Sequence, residues 1–126
     1  MRAVDTNVLV RLLTRDNRQQ VAAAEEFVDN GAWVSHVVLA ETTWVLMSAY
    51  ESSHAQVATA IEMLLDHANL SLQDPDVVRH ALENYRRRPS LGFSDCLVLE
   101  IARKAGHVPL GTFDRGLGKL NGAERL

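Results

Sequence analysis

The feature that most constrains the fold is an alternation. Short apolar runs recur at residues 1–4, 32–35, 70–72 and 108–113, and longer stretches with helical spacing separate them. Runs this short suit buried strands, and strands that alternate with helices, instead of following one another through tight turns, form a parallel sheet covered by helices. The expectation is an α/β chain in three layers, α/β/α, with a short central parallel sheet of four to five strands, the fifth being a last edge strand over residues 123–126.

The helical stretches carry their own start and stop signals. Residues 7–14 suit a short helix; Asp16 or Asn17 caps a second, which runs through Phe27 and Val28 to the stop at Asn30-Gly31, making a helical hairpin. The stretch 37–50 is apolar almost all round and therefore reads as a buried helix. Over 54–67, Val57, Ile61, Leu64 and Leu65 are spaced for one face of an amphipathic helix. Asp74 is placed to cap a further helix and Pro75 to occupy its first position. That helix ends on Arg86, Arg87 and Arg88, cations suited to the dipole, before Pro89. Leu91, Gly92 and Phe93 read as a linker, Ser94-Asp95 as the next helix start with Gly106 as its stop, and 117–120 as a helical turn.

A chain of 126 residues, 47% hydrophobic, has room for one domain with a real core, so residues 1–126 are expected to form a single domain. The formal charge of -3 looks wrong for a nucleic-acid binder, which usually carries a basic surplus. The objection weakens if four acids are metal ligands: removing them from the outward-facing count gives -3 + 4 = +1. The single cysteine, Cys96, excludes an internal disulfide and suits a reducing compartment. With no leader-like opening and no apolar run near the ~20 residues of a membrane helix, the expectation is a soluble cytoplasmic protein with no membrane partner.

Four acids share a position once the elements are laid out. Asp5 and Asp114 follow strands, and Glu41 and Asp95 lie near the starts of helices. In a parallel α/β sheet those places form one edge, the edge where ligands bind. Each acid also has an ordinary explanation: Asp5 and Asp95 as helix-start residues, Glu41 on a polar stripe with Thr42 and Ser48, Asp114 beside Arg115. The coincidence of four is what points to function. Glu41 is expected to be buried in its apolar helix, where a carboxylate needs a cation or hydrogen bonds. Several carboxylates without Cys or His partners select Mg²⁺, with Mn²⁺ as a substitute, over zinc. Such an ion suits phosphoryl chemistry, and Thr6, Asn7, Ser94 and Thr112 are placed to orient ligands or water around it.

The motifs Val4-Asp5-Thr6-Asn7, Ala40-Glu41, Ser94-Asp95 and Gly111-Thr112-Phe113-Asp114, in that order over the whole chain, resemble a PIN-domain protein. In size and order the chain is similar to the VapC ribonuclease toxins of toxin-antitoxin pairs. The resemblance implies a PIN-like fold and a metal-dependent endoribonuclease that leaves 5′-phosphate and 3′-hydroxyl ends on RNA, whether single-stranded or in tRNA or rRNA loops. Carried over by position, the metal ligands are Asp5, Glu41, Asp95 and Asp114, with Thr112 and Asn7 in support. The resemblance also implies a homodimer and a VapB-like antitoxin. Some relatives carry a further acid shortly after the last motif, where this chain has Gly116.

Two other readings use the same residues: a housekeeping RNA-processing nuclease, and a non-catalytic metal- or RNA-binding module. A haloacid-dehalogenase-like phosphatase normally has a second Asp two residues after the first, where this chain has Asn7. Arg86, Arg87 and Arg88, or Arg11, Arg15 and Arg18, are candidates for phosphate contact. The five histidines lack paired ligand spacing and read as surface or core, as do Trp33 and Trp44 as core and Cys96 as a small core residue. Exposed apolar faces of the first two helices are where antitoxin or dimer contacts are sought.

Overall fold

The computed structural model describes residues 1–126, and its contacts divide into two compact units, Met1–Pro75 and Asp76–Leu126. The first unit contains β1 (Arg2–Ala3), α1 (Thr6–Thr14), α2 (Arg18–Val28), β2 (Ala32–Val34), α3 (His36–Ala49), α4 (His54–Asp66) and β3 (Leu70–Leu72). The strands form a parallel sheet in the order β1-β2-β3, with Ala3, Trp33 and Ser71 in register. Because strand side chains alternate, Ala32, Val34, Leu70 and Leu72 are buried while Ala3, Trp33 and Ser71 are exposed. Trp33, expected in the core, is 39% exposed for this reason.

The helical hairpin is as expected. Asn17, not Asp16, caps α2, its side chain accepting from the Gln20 N–H at 3.0 Å. Asp16 instead anchors the loop: it accepts from Arg11 at 3.1 Å, Thr14 at 2.9 Å and the Tyr50 hydroxyl at 2.8 Å, while that hydroxyl accepts from Arg11 at 3.0 Å. Arg11 also donates to Gln20. At the far end of the hairpin the Arg2 guanidinium lies 3.8 Å from the Phe27 ring centroid.

The expectation of a buried α3 is corrected. Its inward side carries His36, Leu39, Thr42, Thr43 and Leu46, with the two threonine hydroxyls donating to Val38 O at 2.7 Å and Ala40 O at 2.8 Å. Its outward side carries Val37, 75% exposed, and Trp44, 68% exposed, so Trp44 is not a core residue either. On a helix apolar all round, composition does not mark the inner face, and threonines that return their hydroxyls to the backbone can occupy it. A capping box between Ser53 and Gln56 starts α4.

The second unit holds α5 (Pro75–Arg87, whose first residue closes the first unit), α6 (Phe93–Ala105), β4 (Leu110–Thr112), a 3₁₀ turn (Leu117–Lys119) and β5 (Ala123–Arg125). β4 and β5 pair in parallel, so the five strands form a three-stranded parallel ladder in the first unit and a two-stranded one in the second. Asp74 has a φ of +39°, unlike the extended backbone of a capping residue, while Pro75 takes the expected first position of α5. α5 and α6 are tied by Lys104–Asp76 at 3.0 Å and by the edge-to-face pair Tyr85–Phe93, with centroids 5.8 Å apart. Glu100, the buried acid that sequence reading passed over, is 5% exposed and accepts from Arg103 Nε at 3.2 Å and Asn84 at 3.4 Å. Arg103 also donates to Asn121 O, and Gly122 makes room for it. With φ at +91° the backbone favours glycine, and a Cβ there, 2.8 Å from the guanidinium, would displace the arginine.

Candidate functional site

Asp5 and Glu41, with Asn7, lie in the first unit; Asp95, Thr112 and Asp114 lie in the second. In the first, the parallel strands present their carboxyl ends at one edge. Asp5 follows β1 there and its extended backbone caps α1, Oδ1 accepting from the Val8 N–H at 3.3 Å. Capping and ligation are compatible, because a carboxylate has a second oxygen and several lone pairs. At the same edge the end of β3 is bonded to the start of α3. The His36 N–H donates to Gln73 Oε1 at 2.9 Å, and its Nε2 meets Gln73 O at 2.8 Å. His36 is thus a buried structural residue.

Glu41 is exposed, contrary to expectation, and stands in the second turn of α3 on the face shared with Val37 and Trp44. Its reason for attention is therefore position, not burial. Asn7, one residue into α1, lines a groove of about 360 Å³ between α1 and α2 with Arg11, Gln20, Ala23 and Phe27 among its walls. Apart from this groove the hairpin presents little apolar surface; the large exposed hydrophobics include Val37, Trp44 and Met47 on α3, Val98 and Ile101 on α6, and Phe113.

The second unit brings two of the acids together. Phe93, expected in a linker, is buried and begins α6, with Gly92 as its N-cap and no side-chain cap. This shifts the helix start and places Asp95 at the third helical position, where its carboxylate accepts from the Gly92 N–H. Burial raises the pKa of Asp95, the nearby charge of Asp114 raises it further, and the Gly92 bond opposes both. Asp114 follows β4 in a tight turn. Its N–H donates to Thr112 Oγ1 at 3.0 Å and its Oδ1 accepts from the Leu117 N–H at 2.8 Å. The turn, not Arg115, holds the carboxylate in place.

The 116 position adjoins the same acid. A Cβ there would lie 3.3 Å from Asp114 Oδ1 and 3.1 Å from Leu91 Cδ2.

Two carboxylates that repel one another form a hard-oxygen donor pair. That set suits Mg²⁺, which is typically held by one or two carboxylates together with waters and substrate phosphates. Within neither unit are three or more His, Cys, Asp or Glu side chains gathered as a metal-holding group. Arg86, Arg87 and Arg88 are exposed at the end of α5. Arg11 is bonded to Asp16, Gln20 and Tyr50, and Arg15 makes an exposed ion pair with Glu25 at 3.1 Å. Cys96 is buried and its thiol is pushed up to about 11 by burial, then by the charges of Asp95 and Glu100, which makes it a packing residue.

The model of one family, described as the PIN domain, matches residues 2–123 and so covers all of these positions. No curated protein and no solved structure matched the chain. PIN domains are generally metal-dependent nucleases.

Proposed function

The chain belongs to the PIN domain family, and from that premise we propose that it is an endoribonuclease of the VapC toxin type. In this reading it hydrolyses phosphodiester bonds of single-stranded RNA or of tRNA or rRNA loops to 5′-phosphate and 3′-hydroxyl ends. Asp5, Glu41, Asp95 and Asp114 would be the ligands of Mg²⁺, or of Mn²⁺ in its place, and Asn7 and Thr112 would orient ligands and water. A homodimeric state, inhibition by a VapB-like antitoxin and action in the cytoplasm belong to the same proposal.

The observation that carries it is the Asp95–Asp114 pair, a half-buried carboxyl in the first turn of α6 beside one that follows β4, with burial first and then the Asp114 charge raising the Asp95 pKa. Bound there, a divalent ion would polarise a phosphate oxygen and lower the pKa of an attacking water. The protein's own part is to hold the donors still: Asp95 through the Gly92 N–H, Asp114 through Leu117 and Thr112, and Asp5 through Val8.

The deciding experiment incubates 5′- and 3′-labelled RNA with the protein in Mg²⁺, Mn²⁺ or EDTA, beside Asp95→Asn. Metal-dependent cleavage leaving 5′-phosphates, reduced at least 100-fold in the variant on the usual scale of lost transition-state stabilisation, is expected. Equal cleavage by wild type and variant, or cleavage undiminished in EDTA, would refute the metal-nuclease reading. Growth arrest on induction that disappears with Asp95→Asn separates a toxin from a housekeeping nuclease.

A further inference from the structure

The benzyl side chain of Phe113 is 81% exposed, although it stands between Thr112 and Asp114, in the best-anchored turn of the candidate site. Exposed apolar side chains are common on protein surfaces and by themselves mean little. This one differs in how firmly it is presented. On its N-terminal side Thr112 O accepts from the Leu126 N–H at 2.8 Å, and Thr112 Oγ1 accepts from the Asp114 N–H at 3.0 Å. On its C-terminal side Asp114 O accepts from the Gly118 N–H at 3.0 Å and Asp114 Oδ1 from the Leu117 N–H at 2.8 Å. The backbone is pinned on both sides of the ring, so the ring is not the tip of a floppy loop.

The flanking residues indicate what such a ring would meet. Asp114 and Arg115, on its C-terminal side, are exposed and charged, and over Gly111, the preceding outward position on β4, lies the side chain of Leu126, 65% exposed. A protein interface has a broad apolar centre with charged residues depleted from it, and here one leucine adjoins the strand while charge borders the ring on its other side. An unpaired nucleobase requires less: one flat aromatic face, with a cation within reach of the adjoining phosphate. We propose that Phe113 is a substrate-positioning residue that stacks on an unpaired base next to the phosphate addressed by Asp95 and Asp114, with Arg115 beside the flanking phosphate. This rests on the nuclease reading and makes it more specific: the site takes RNA whose bases are unstacked at the point of cleavage, with little discrimination among them, because every base has a π-face.

The test compares wild type, Phe113→Leu and Phe113→Trp on a short fluorescein-labelled oligoribonucleotide of mixed sequence. Binding is read by anisotropy in Mg²⁺ on an Asp114→Asn background, and cleavage is read without it. Phe113→Leu should weaken binding and raise KM by on the order of tenfold, the scale of one lost base–aromatic stack, with kcat little changed. Phe113→Trp should retain affinity, and its fluorescence should be quenched by the RNA beyond any change in the native Trp33 and Trp44. Oligonucleotides with abasic positions should lose affinity for wild type and not for Phe113→Leu.

Cleavage by wild type with Phe113→Leu unaltered in KM and in binding would overturn the stacking role and leave the nuclease reading standing. Phe113-dependent binding without any metal-dependent cleavage would overturn the nuclease reading alone. RNA neither bound nor cut overturns both. If Phe113→Leu changes the sedimentation of the purified protein and leaves RNA binding untouched, the ring is a contact between copies of the chain and the proposal is wrong.

Discussion

Asp95 is a carboxyl group whose charged form is disfavoured by its surroundings, and this makes its effect on stability predictable in sign. Its pKa is raised by burial and by Asp114, so the folded protein binds that proton more tightly than the unfolded chain does. The stability linked to the proton is present below the unfolded value and is lost as pH rises through the raised folded value. At neutral pH in EDTA, Asp95→Asn should therefore unfold at a higher temperature than wild type, and the advantage should shrink as pH falls into the acid range. Thermal scans at a series of pH values measure this; a variant less stable than wild type throughout would contradict it. Cys96, one residue on, tests the burial of the same turn. With its thiol pushed up to about 11, it should resist iodoacetamide at pH 8 in the native state and react quickly in urea. Native alkylation as fast as that in urea would mean that the turn opens. At this scale the acids were legible from residue type and place in the chain. The exposure of Glu41 was not, because nothing in an all-apolar helix says which side faces inward.

Among the elements, most helices and strands were readable because their punctuation is local: Asn17, Ser53, Pro75, Gly31 and Gly106 act within a few residues of where they stand. What was not readable depends on partners distant in sequence. Tyr50 reaches back to Arg11 and Asp16 and fastens the end of α3 to the α1–α2 hairpin. Asp16 is held below its usual pKa first by the Tyr50 hydroxyl and then by Thr14, so its contribution is present above the ordinary carboxylate range and is lost as pH falls through the depressed value. Tyr50→Phe should lower the melting temperature at neutral pH, and wild type and variant should converge in acid; a difference that persists below pH 3 would place the effect in packing instead. The α6 interior behaves differently. Glu100 is buried and Arg103 is half-exposed, so removing the arginine leaves a buried acceptor underserved, whereas Glu100→Gln leaves a guanidinium that water can reach. Arg103→Ala should cost about 1–3 kcal/mol in urea unfolding, and Glu100→Gln less. The reverse order would mean that Glu100 is not held by the pair.

For the whole molecule, one family model spans both compact units, residues 2–123, and a bound ligand would appear in global stability. Any ion that binds the folded chain and not the unfolded one stabilises it by mass action, by about 2.7 kcal/mol at a hundred times its dissociation constant. Mg²⁺ should therefore raise the melting temperature of wild type, and Asp95→Asn or Asp114→Asn should lose that response while remaining folded. A shift of equal size in both variants would place the ion elsewhere. The asparagine at 114 is the informative substitution because it keeps an acceptor for the Leu117 N–H and removes only charge.

The crowding around Gly116 has a consequence for how sequences of this kind can diverge. By sequence alone, one substitution is enough to introduce a further acid here. With Leu91 Cδ2 at 3.1 Å and Asp114 Oδ1 at 3.3 Å from a new Cβ, Gly116→Asp acting first requires both side chains to give by a few tenths of an ångström and sets a like charge beside Asp114. Leu91→Val acting first opens space at the expense of some packing and makes the second step tolerable. Gly116→Asp should therefore be better tolerated together with Leu91→Val than alone, which couples the gain of an acid here to a core residue that is not itself an acid.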